Sequence, residues 1–293
     1  MHVALLTAIA MLAFAGNSLL CRMALGSADA IDPASYTAVR LVAGAAALAL
    51  ILRLRTGPGT RAAGSWGSAA WLFLYAIACS WAYLSLDTGI GALILFGAVQ
   101  VTMIGLGIVR GERPRPLQWL GIVTAMGGLA YLLSPGLTAP SFAGAMLMSG
   151  AGVAWGMYSL RGKGAADPLA ATAGNFLRAV PMGVLLLVLM ADRLHLPLTG
   201  VLLGVLSGAV TSGVGYAIWY AAVRGLSAYG AAVVQLSAPV IATYAGVVLL
   251  DEALTLRIVL ASVAILGGIA IALRRSAPAD VPRRRQAAPE RVG

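Results

Sequence analysis

Long uninterrupted apolar runs, rather than alternating apolar and polar positions, dominate the chain. Charges, prolines and glycines separate ten such runs, at approximately 3–21, 34–52, 67–86, 89–109, 116–134, 141–160, 169–191, 198–223, 228–250 and 254–273. A continuous apolar run of about 20 residues crosses the hydrocarbon core of a bilayer as an α-helix. Membrane strands would alternate instead. The pattern therefore predicts an all-α integral membrane protein with ten transmembrane helices.

The composition agrees with lipid as the surroundings of most of the chain. Hydrophobic residues make up 60% of the sequence and charged residues 10%, with a mean hydropathy of +0.90, whereas soluble domains carry roughly 25% charged residues. The pI of 10.3 does not indicate a nucleic-acid partner, because the basic residues are scattered between apolar runs. The first run lacks a preceding basic segment and exceeds a signal peptide in length, so we expect it to be retained.

Basic residues are divided unequally between the two sides that ten helices create. If the N-terminus and the even-numbered helix ends share one side, that side holds 15 of the 20 Lys and Arg residues. The other side holds three, and the remaining two, Arg40 and Arg178, lie within apolar runs. Cytoplasmic loops carry the excess of basic residues in membrane proteins. We therefore expect both termini to be cytoplasmic.

The two halves of the sequence match at a nearly fixed spacing. Glu112 aligns with Glu252 at a shift of 140 residues, and Arg40 aligns with Arg178 at a shift of 138. Because each half has five helices, an odd number, the second half enters the membrane from the opposite side, as in many secondary transporters. The repeat divides the chain into a first five-helix unit, an inverted second unit and a basic tail that we expect to be disordered: 1–137, 138–273 and 274–293.

The stretch WYAAVRGLSAYGAAVVQLSAPVIATYAGVVLLDEALTL, residues 219–256, carries the most specific family resemblance. With the ten spans, the arginines of helices two and seven and the acidic turns at Glu112 and Glu252, it resembles the EamA type of the drug/metabolite transporter superfamily over about 3–273. Within that family the general likeness is to YddG-type exporters of aromatic amino acids. The resemblance implies alternating access about a central site, and export from the cytoplasm.

Polar and aromatic side chains within the spans are the candidates for a substrate site. An amide in hydrocarbon costs several kcal/mol unless it is partnered, so we expect these residues to face protein or water. The candidates are Asn17, Trp81, Tyr83, Gln100, Trp155, Tyr158, Tyr216, Trp219, Tyr220, Gln235 and Tyr244. Helix–helix hydrogen bonds and the interfacial aromatic belt are the alternatives. A cavity lined by rings and amides would suit a neutral or zwitterionic solute with an apolar side chain.

Carboxylates are absent from the middle of the spans. All ten Asp and Glu residues lie outside the apolar cores or at their edges. A proton-coupled carrier of cationic drugs usually keeps a carboxylate in the membrane, so the distribution argues against that class. The two histidines, His2 and His195, also lie outside the spans. We expect no enzyme activity, no metal site and no cofactor.

Two arginines and two prolines within the spans have structural explanations and functional ones. We expect Arg40 and Arg178 to serve the scaffold by capping carbonyls of neighbouring helices, and binding of a substrate carboxylate is the alternative. Pro181 and Pro239 interrupt their spans. We expect them to act as hinges, Pro239 above all, with a fixed bend as the alternative. Val99 occupies the first-half position that corresponds to Pro239.

The sequence as a whole predicts a secondary transporter in the bacterial cytoplasmic membrane. Its expected substrates are amino acids with aromatic or apolar side chains and related small amphipathic metabolites. We expect it to act as a monomer in the lipid bilayer. A broad-specificity drug or nucleotide-sugar carrier remains an alternative within transport. A non-transporting membrane scaffold or sensor is the alternative from another class.

Overall fold

The computed structural model describes residues 2–27, 29–57, 62–109, 111, 115–134, 139–162, 165–223, 226 and 234–272. Three features named above lie outside these residues: Glu112, the boundary between 137 and 138, and the tail at 274–293.

Ten helices account for most of the described residues, and those residues contain no strand. Six of the helices are long and apolar enough to cross a membrane, judged by length and composition. The bounds are His2–Leu25 (α1), Pro33–Thr56 (α2), Trp66–Ala82 (α3), Thr88–Val109 (α4), Pro116–Leu133 (α5), Phe142–Gly162 (α6), Pro168–Leu189 (α7), 198–223 (α8), Ser237–Leu250 (α9) and Leu256–Ala272 (α10). The prediction of an all-α protein with ten helices is confirmed.

The second helix of each half begins with the same Asp–Pro pair. Asp32 accepts a hydrogen bond from the Ser35 amide at 2.9 Å, and Pro33 is the first residue of α2. Asp167 and Pro168 begin α7 in the same way. An acidic N-cap satisfies a free helix N–H, and proline is well suited to the first helical position. The local chemistry of the two halves is therefore alike where α2 and α7 start.

Helix α8 is one continuous rod with a widened middle. It consists of Leu198–Val205, a π-helical stretch at Leu206–Val214, and Gly215–Val223. A hypothetical Cβ on Gly208, within the π-helical stretch, would lie 2.2 Å from the Arg40 carbonyl oxygen. Only glycine permits this approach of α8 to α2. π-Helical turns occur frequently at functional sites.

Pro239 lies at the start of a helix rather than in the middle of one. It is the third residue of α9, and Leu236 just before α9 forms a turn after a short helical stretch. The missing N–H of a proline in the first helical turn breaks no hydrogen bond. Pro239 therefore lies three residues after a break in the helix at Leu236, and its expected role as a hinge stays a prediction. Pro181 does lie inside α7, where its ring is exposed.

The helix contacts of the first half recur in the second half. Helix α3 packs on α6, and α8 packs on α1; α4 packs on α6, and α9 packs on α1. Likewise α2 contacts α8, and α7 contacts α3. Adding five to each helix number, and counting past ten from one, converts one member of each pair into the other. In the contacting pairs α2–α7, α4–α9 and α5–α10, the same rule exchanges the two helices with each other. Each of these pairs therefore joins equivalent helices of the two halves.

Glycines allow α5 and α10 to approach closely. A Cβ on Gly121 would lie 2.5 Å from the Gly268 carbonyl oxygen, and a Cβ on Gly268 would lie 2.6 Å from the Gly121 oxygen. Real side chains do not fit at these separations. Small residues at facing positions are the usual means of close packing between membrane helices.

One end of the bundle is joined by a cluster of ionic groups. We call this end of the bundle the outer end, because it belongs to the side of the membrane that holds only three basic residues. The Arg22 guanidinium lies 3.4 Å from Asp87 and 3.7 Å from Glu252. The Glu252 carboxylate accepts hydrogen bonds from the Thr88 amide at 2.8 and 2.9 Å and from the Thr88 hydroxyl at 2.8 Å. A second-half acid therefore caps a first-half helix, α4.

The opposite end, called the inner end, is joined by different contacts. Arg55, in the last turn of α2, forms an ion pair with Asp167 at the start of α7. Partial burial alone would raise the pKa of the Asp167 carboxyl, but the Ala170 amide and the Arg55 guanidinium outweigh it and hold that pKa below its usual value. The Ala63 amide donates to the Ala170 carbonyl at 3.0 Å. Each of these contacts joins residues that the charge count assigns to one side.

Candidate functional site

A cavity of about 350 Å³ lies among α1, α4, α6, α7 and α8. We call it the central cavity. Its walls include Phe14, Val99, Met103, Trp155, Tyr158, Thr172, Asn175, Tyr216, Trp219, Tyr220 and Gln235. It reaches the inner end of the bundle at Gly162, Ala165 and Pro168, where α6 ends and α7 begins.

A smaller space continues from the central cavity toward the outer end, and we call it the deep pocket. Its free volume is about 30 Å³, which is close to the share of one water molecule in the liquid. The two spaces have Phe14, Val99, Trp155, Tyr216 and Gln235 in common. The deep pocket adds residues nearer the outer end, namely Asn17, Ser18, Tyr75, Leu95, Phe96, Thr211 and Ser212.

Aromatic rings from four helices surround Trp155 at the junction of the two spaces. Trp155 stacks on Tyr216 with ring centroids 5.4 Å apart, and it meets Tyr75 at 4.8 Å and Tyr158 at 5.4 Å. Phe14 contacts the edge of Tyr216 at 5.9 Å. Such pairs hold one another in place and present apolar faces to a ligand. The junction is therefore a preformed surface for an apolar or aromatic group.

Hydrogen bonds in the deep pocket centre on Asn17. Its side-chain oxygen accepts from the Ser207 hydroxyl at 2.9 Å and lies 3.3 Å from the Thr211 hydroxyl, which donates to the Ser207 carbonyl at 2.7 Å. Its amide nitrogen donates to the Tyr75 hydroxyl at 3.2 Å. Ser207 and Thr211 both lie in the π-helical stretch of α8, so the widened turn places both hydroxyls beside this amide oxygen, and the Ser207 hydroxyl orients it.

A second polar group lines the central cavity nearer the inner end. The Thr172 hydroxyl lies 3.0 Å from that of Tyr220 and 3.5 Å from that of Tyr158, and Asn175 donates to Tyr158 at 3.5 Å. Among the described residues that line either space, none is charged. The arrangement can bind a neutral or zwitterionic molecule that has an apolar part and a few hydrogen-bonding groups.

The structure brings seven of the eleven predicted site residues to the two spaces. These are Asn17, Trp155, Tyr158, Tyr216, Trp219, Tyr220 and Gln235.

The other four lie elsewhere. Tyr244 is 71% exposed on the outer surface of α9. Gln100 lines a separate, apolar space beside α5 and α10. Tyr83 follows the end of α3 and is fully buried where Gly91 of α4 passes its ring, and Trp81 is half-buried on α3. The apolar runs gave the depth of these residues but not the direction in which each side chain points.

Several lining residues were not among the predictions. The hydroxyl and aromatic members are Phe14, Ser18, Tyr75, Phe96, Ser159, Thr172, Thr211 and Ser212. Apolar membrane helices carry many such residues, so their type alone did not distinguish them. Asn175 could have been found, because it is an amide within a span and satisfies the rule that selected Asn17.

The two arginines have different partners. Arg178 donates to the carbonyl oxygen of Ala63, in the segment before α3, at 2.8 Å and to that of Gly174, in its own helix, at 2.9 Å. Arg40 is 2% exposed and donates instead to the Tyr75 hydroxyl at 3.1 Å, with its guanidinium 5.1 Å from the Tyr75 ring centre. Carbonyl capping therefore does not describe Arg40.

A bundle of apolar helices around an amphipathic cavity that reaches one end is the arrangement of a membrane carrier for small solutes. Residues 142–274 match the model of the EamA-like transporter family. An uncharacterised protein of Pseudomonas aeruginosa strain PAO1, PA1977, is 54% identical over 269 residues, which is 92% of this chain and 93% of the relative. A solved crystal structure, described only as that of a protein, superposes with a TM-score of 0.66 at 21% identity, over 92% of this chain and 96% of that one.

The chain belongs to the EamA-like transporter family, within the drug/metabolite transporter superfamily, and is a multi-pass membrane transporter. The family predicted from residues 219–256 is thereby confirmed. The similar crystal structure supports the fold.

Proposed function

We propose that the protein transports amino acids with aromatic or apolar side chains, and related small amphipathic metabolites. The central cavity carries this proposal. Its aromatic junction around Trp155 suits an apolar side chain, and its amides and hydroxyls suit the polar end of a zwitterion. A volume of about 350 Å³ lies in the range of small-molecule sites, roughly 300–1,000 Å³.

Transport proceeds by alternating access between the two ends of the bundle. The central cavity reaches the inner end, whereas Arg22, Asp87 and Glu252 join helices across the outer end. In this proposal the described state is the inward-facing one, with the outer side closed. Outward opening requires the contact between Glu252 and Thr88 to break, with movement of α3, α4, α8 and α9. The helix break at Leu236, beside Gln235 of the cavity wall, supplies a point of bending.

The repeated helix contacts support two inverted five-helix units, 1–137 and 138–273, that exchange conformations. The same-side contacts at each end are compatible with cytoplasmic termini in the bacterial inner membrane. We place the inner end in the cytoplasm on the basis of the basic residues. Export from the cytoplasm follows from the resemblance to YddG-type carriers, and we expect the protein to act as a monomer.

Uptake of radiolabelled phenylalanine into proteoliposomes, with and without a pH gradient, tests the proposal. We expect saturable flux without a gradient, competed by other aromatic amino acids. Trp155→Ala removes the ring that contacts Tyr75, Tyr158 and Tyr216, and because an aromatic pair contributes about 0.5–1.5 kcal/mol we expect KM to rise about tenfold. Tyr244→Ala is the matched control, because Tyr244 lies on the outer surface.

Two outcomes would change the proposal. Absence of flux for every amino acid, from protein shown to be folded, would favour the drug or nucleotide-sugar alternative, and those solutes would be assayed next. Flux that depends strictly on the pH gradient would keep transport and contradict the expected flux without a gradient.

A further inference from the structure

The Arg40 guanidinium is a buried cation without a counter-ion among the described residues. Its side chain is 2% exposed, and none of the ion pairs formed by the described residues includes it. One of its terminal nitrogens, Nη1, is buried without a hydrogen-bond partner. Guanidinium stays protonated in proteins. A buried charge is strongly unfavourable unless it is paired, and the Tyr75 hydroxyl, which accepts from Arg40 at 3.1 Å, and the Tyr75 ring, 5.1 Å away, contact it here.

The Tyr75 hydroxyl connects this cation to the deep pocket. Its oxygen accepts one hydrogen bond from Arg40 Nη2 at 3.1 Å and another from Asn17 Nδ2 at 3.2 Å. A phenol oxygen that accepts two hydrogen bonds still has its own proton to donate. Tyr75 lines the deep pocket, so the hydroxyl can donate that proton to an acceptor located there.

The Asn17 amide has a fixed orientation beside this hydroxyl. The Ser207 hydroxyl donates to its oxygen at 2.9 Å, which leaves the nitrogen as the donor that faces Tyr75 at 3.2 Å. One N–H of that nitrogen is used by Tyr75, and the second is available to a ligand. The deep pocket thus offers two neutral donors, with a permanent positive charge directly behind one of them.

We propose that the deep pocket is a carboxylate subsite, in which Tyr75 and Asn17 bind the substrate carboxylate and Arg40 acts as a positioning residue that polarises Tyr75. This inference rests on the proposed function and adds the chemical class of the polar end. The free volume of about 30 Å³ admits a small head group only. The aromatic or apolar remainder of the substrate then lies in the central cavity, against Trp155 and Tyr216.

A ligand series on the wild-type protein tests the subsite without any substitution. Competition with labelled phenylalanine uptake would compare phenylalanine, 3-phenylpropionate and phenylalaninamide. We expect 3-phenylpropionate, which keeps the carboxylate, to compete. We expect phenylalaninamide, which lacks it, to bind at least about tenfold more weakly than phenylalanine, the factor for loss of one hydrogen bond to a charged group.

Tyr75→Phe then separates recognition from packing, because it removes the hydroxyl and keeps the ring against Trp155. We expect KM for phenylalanine to rise about tenfold, while inhibition by phenylalaninamide stays unchanged, so that the discrimination disappears. Tyr244→Phe removes a hydroxyl from the lipid-facing surface of α9. We expect this control to retain the discrimination between phenylalanine and phenylalaninamide. If Tyr75→Phe does not fold, Asn17→Asp replaces the free N–H donor with a carboxylate, and the same loss of discrimination is expected.

The subsite is overturned if wild-type protein binds phenylalaninamide as well as phenylalanine. It is also overturned if Tyr75→Phe weakens both ligands equally, which is the signature of a packing role. In both cases phenylalanine is still transported, so the proposed function stands. If no amino acid or analogue binds or moves, the proposed function fails, and the subsite fails with it.

Discussion

Glu252→Gln is expected to release the outer end of the transporter. Glu252 is the only acid of the described residues that caps α4, and its side chain is 9% exposed. Both of its oxygens accept from the Thr88 amide, at 2.8 and 2.9 Å, and one also accepts from the Thr88 hydroxyl. Glutamine keeps one acceptor oxygen, loses the negative charge beside Arg22 and turns an NH₂ group toward an N–H donor.

The size of the effect follows from the contacts that are lost. A hydrogen bond to a charged group contributes about 1.5–3 kcal/mol, so losing one such bond together with the charge should weaken the closed outer end by about 2–3 kcal/mol. That corresponds to an increase of about 30- to 150-fold in the ratio of outward-open to inward-open protein.

Labelling by a membrane-impermeant maleimide can measure this ratio. A cysteine introduced at Ser18, which lies in the deep pocket and is 2% exposed, would react from outside only when the outer end opens. The native Cys21 and Cys79, both buried, would first be replaced by alanine. We expect the labelling rate to rise about 30- to 150-fold in Glu252→Gln, with no loss of helix content.

Asp87→Asn is the matched control, because Asp87 also contacts Arg22, at 3.4 Å, but its side chain is 42% exposed. Exposed ion pairs contribute about 0–1 kcal/mol, so we expect the rate to change by less than about fivefold. Equal rates in wild type and Glu252→Gln, or equal acceleration by both variants, would refute the reasoning.

Two further predictions concern the scaffold. Gly121→Ala should lower stability in detergent by about 1–3 kcal/mol, because the new Cβ meets α10 at 2.4 Å. The control Gly127→Ala should not, because its Cβ would have nothing within 4 Å. Equal melting temperatures of the two variants would contradict the packing of α5 on α10. Arg178→Lys should lower the melting temperature and leave KM for phenylalanine unchanged, because Arg178 donates to the carbonyls of Ala63 and Gly174 and does not line the cavity. A large change in KM without loss of stability would indicate that Arg178 binds the substrate instead.

Sequence reasoning located the helices well because their signal is length and continuity of apolar residues. The predicted run at 116–134 corresponds to Pro116–Leu133, and the run at 169–191 corresponds to Pro168–Leu189. The helix break at Leu236 was not foreseen, because the predicted apolar run at 228–250 continues through it. A proline was visible there, but its place in the first turn of α9 was not.

The site was predicted less completely, because a span defines depth and leaves the rotation of the helix open. Asn17 and Tyr244 both looked like polar residues inside a span, yet Asn17 lines the deep pocket and Tyr244 is 71% exposed. Tyr75 and Phe14 gave no signal at all, since an aromatic residue in a membrane helix faces lipid as readily as protein. Only the packing of helices brings Tyr75 to Arg40 and Asn17.

Counterflow in proteoliposomes tests the central claim most directly, because it requires a carrier that binds the same solute from both sides. Vesicles of purified protein would be loaded with unlabelled phenylalanine and diluted into a trace of labelled phenylalanine, with no ion gradient. The account predicts a transient accumulation of label above equilibrium, abolished in protein-free vesicles. No accumulation of phenylalanine or any other aromatic or apolar amino acid, by protein shown to be folded, would contradict it.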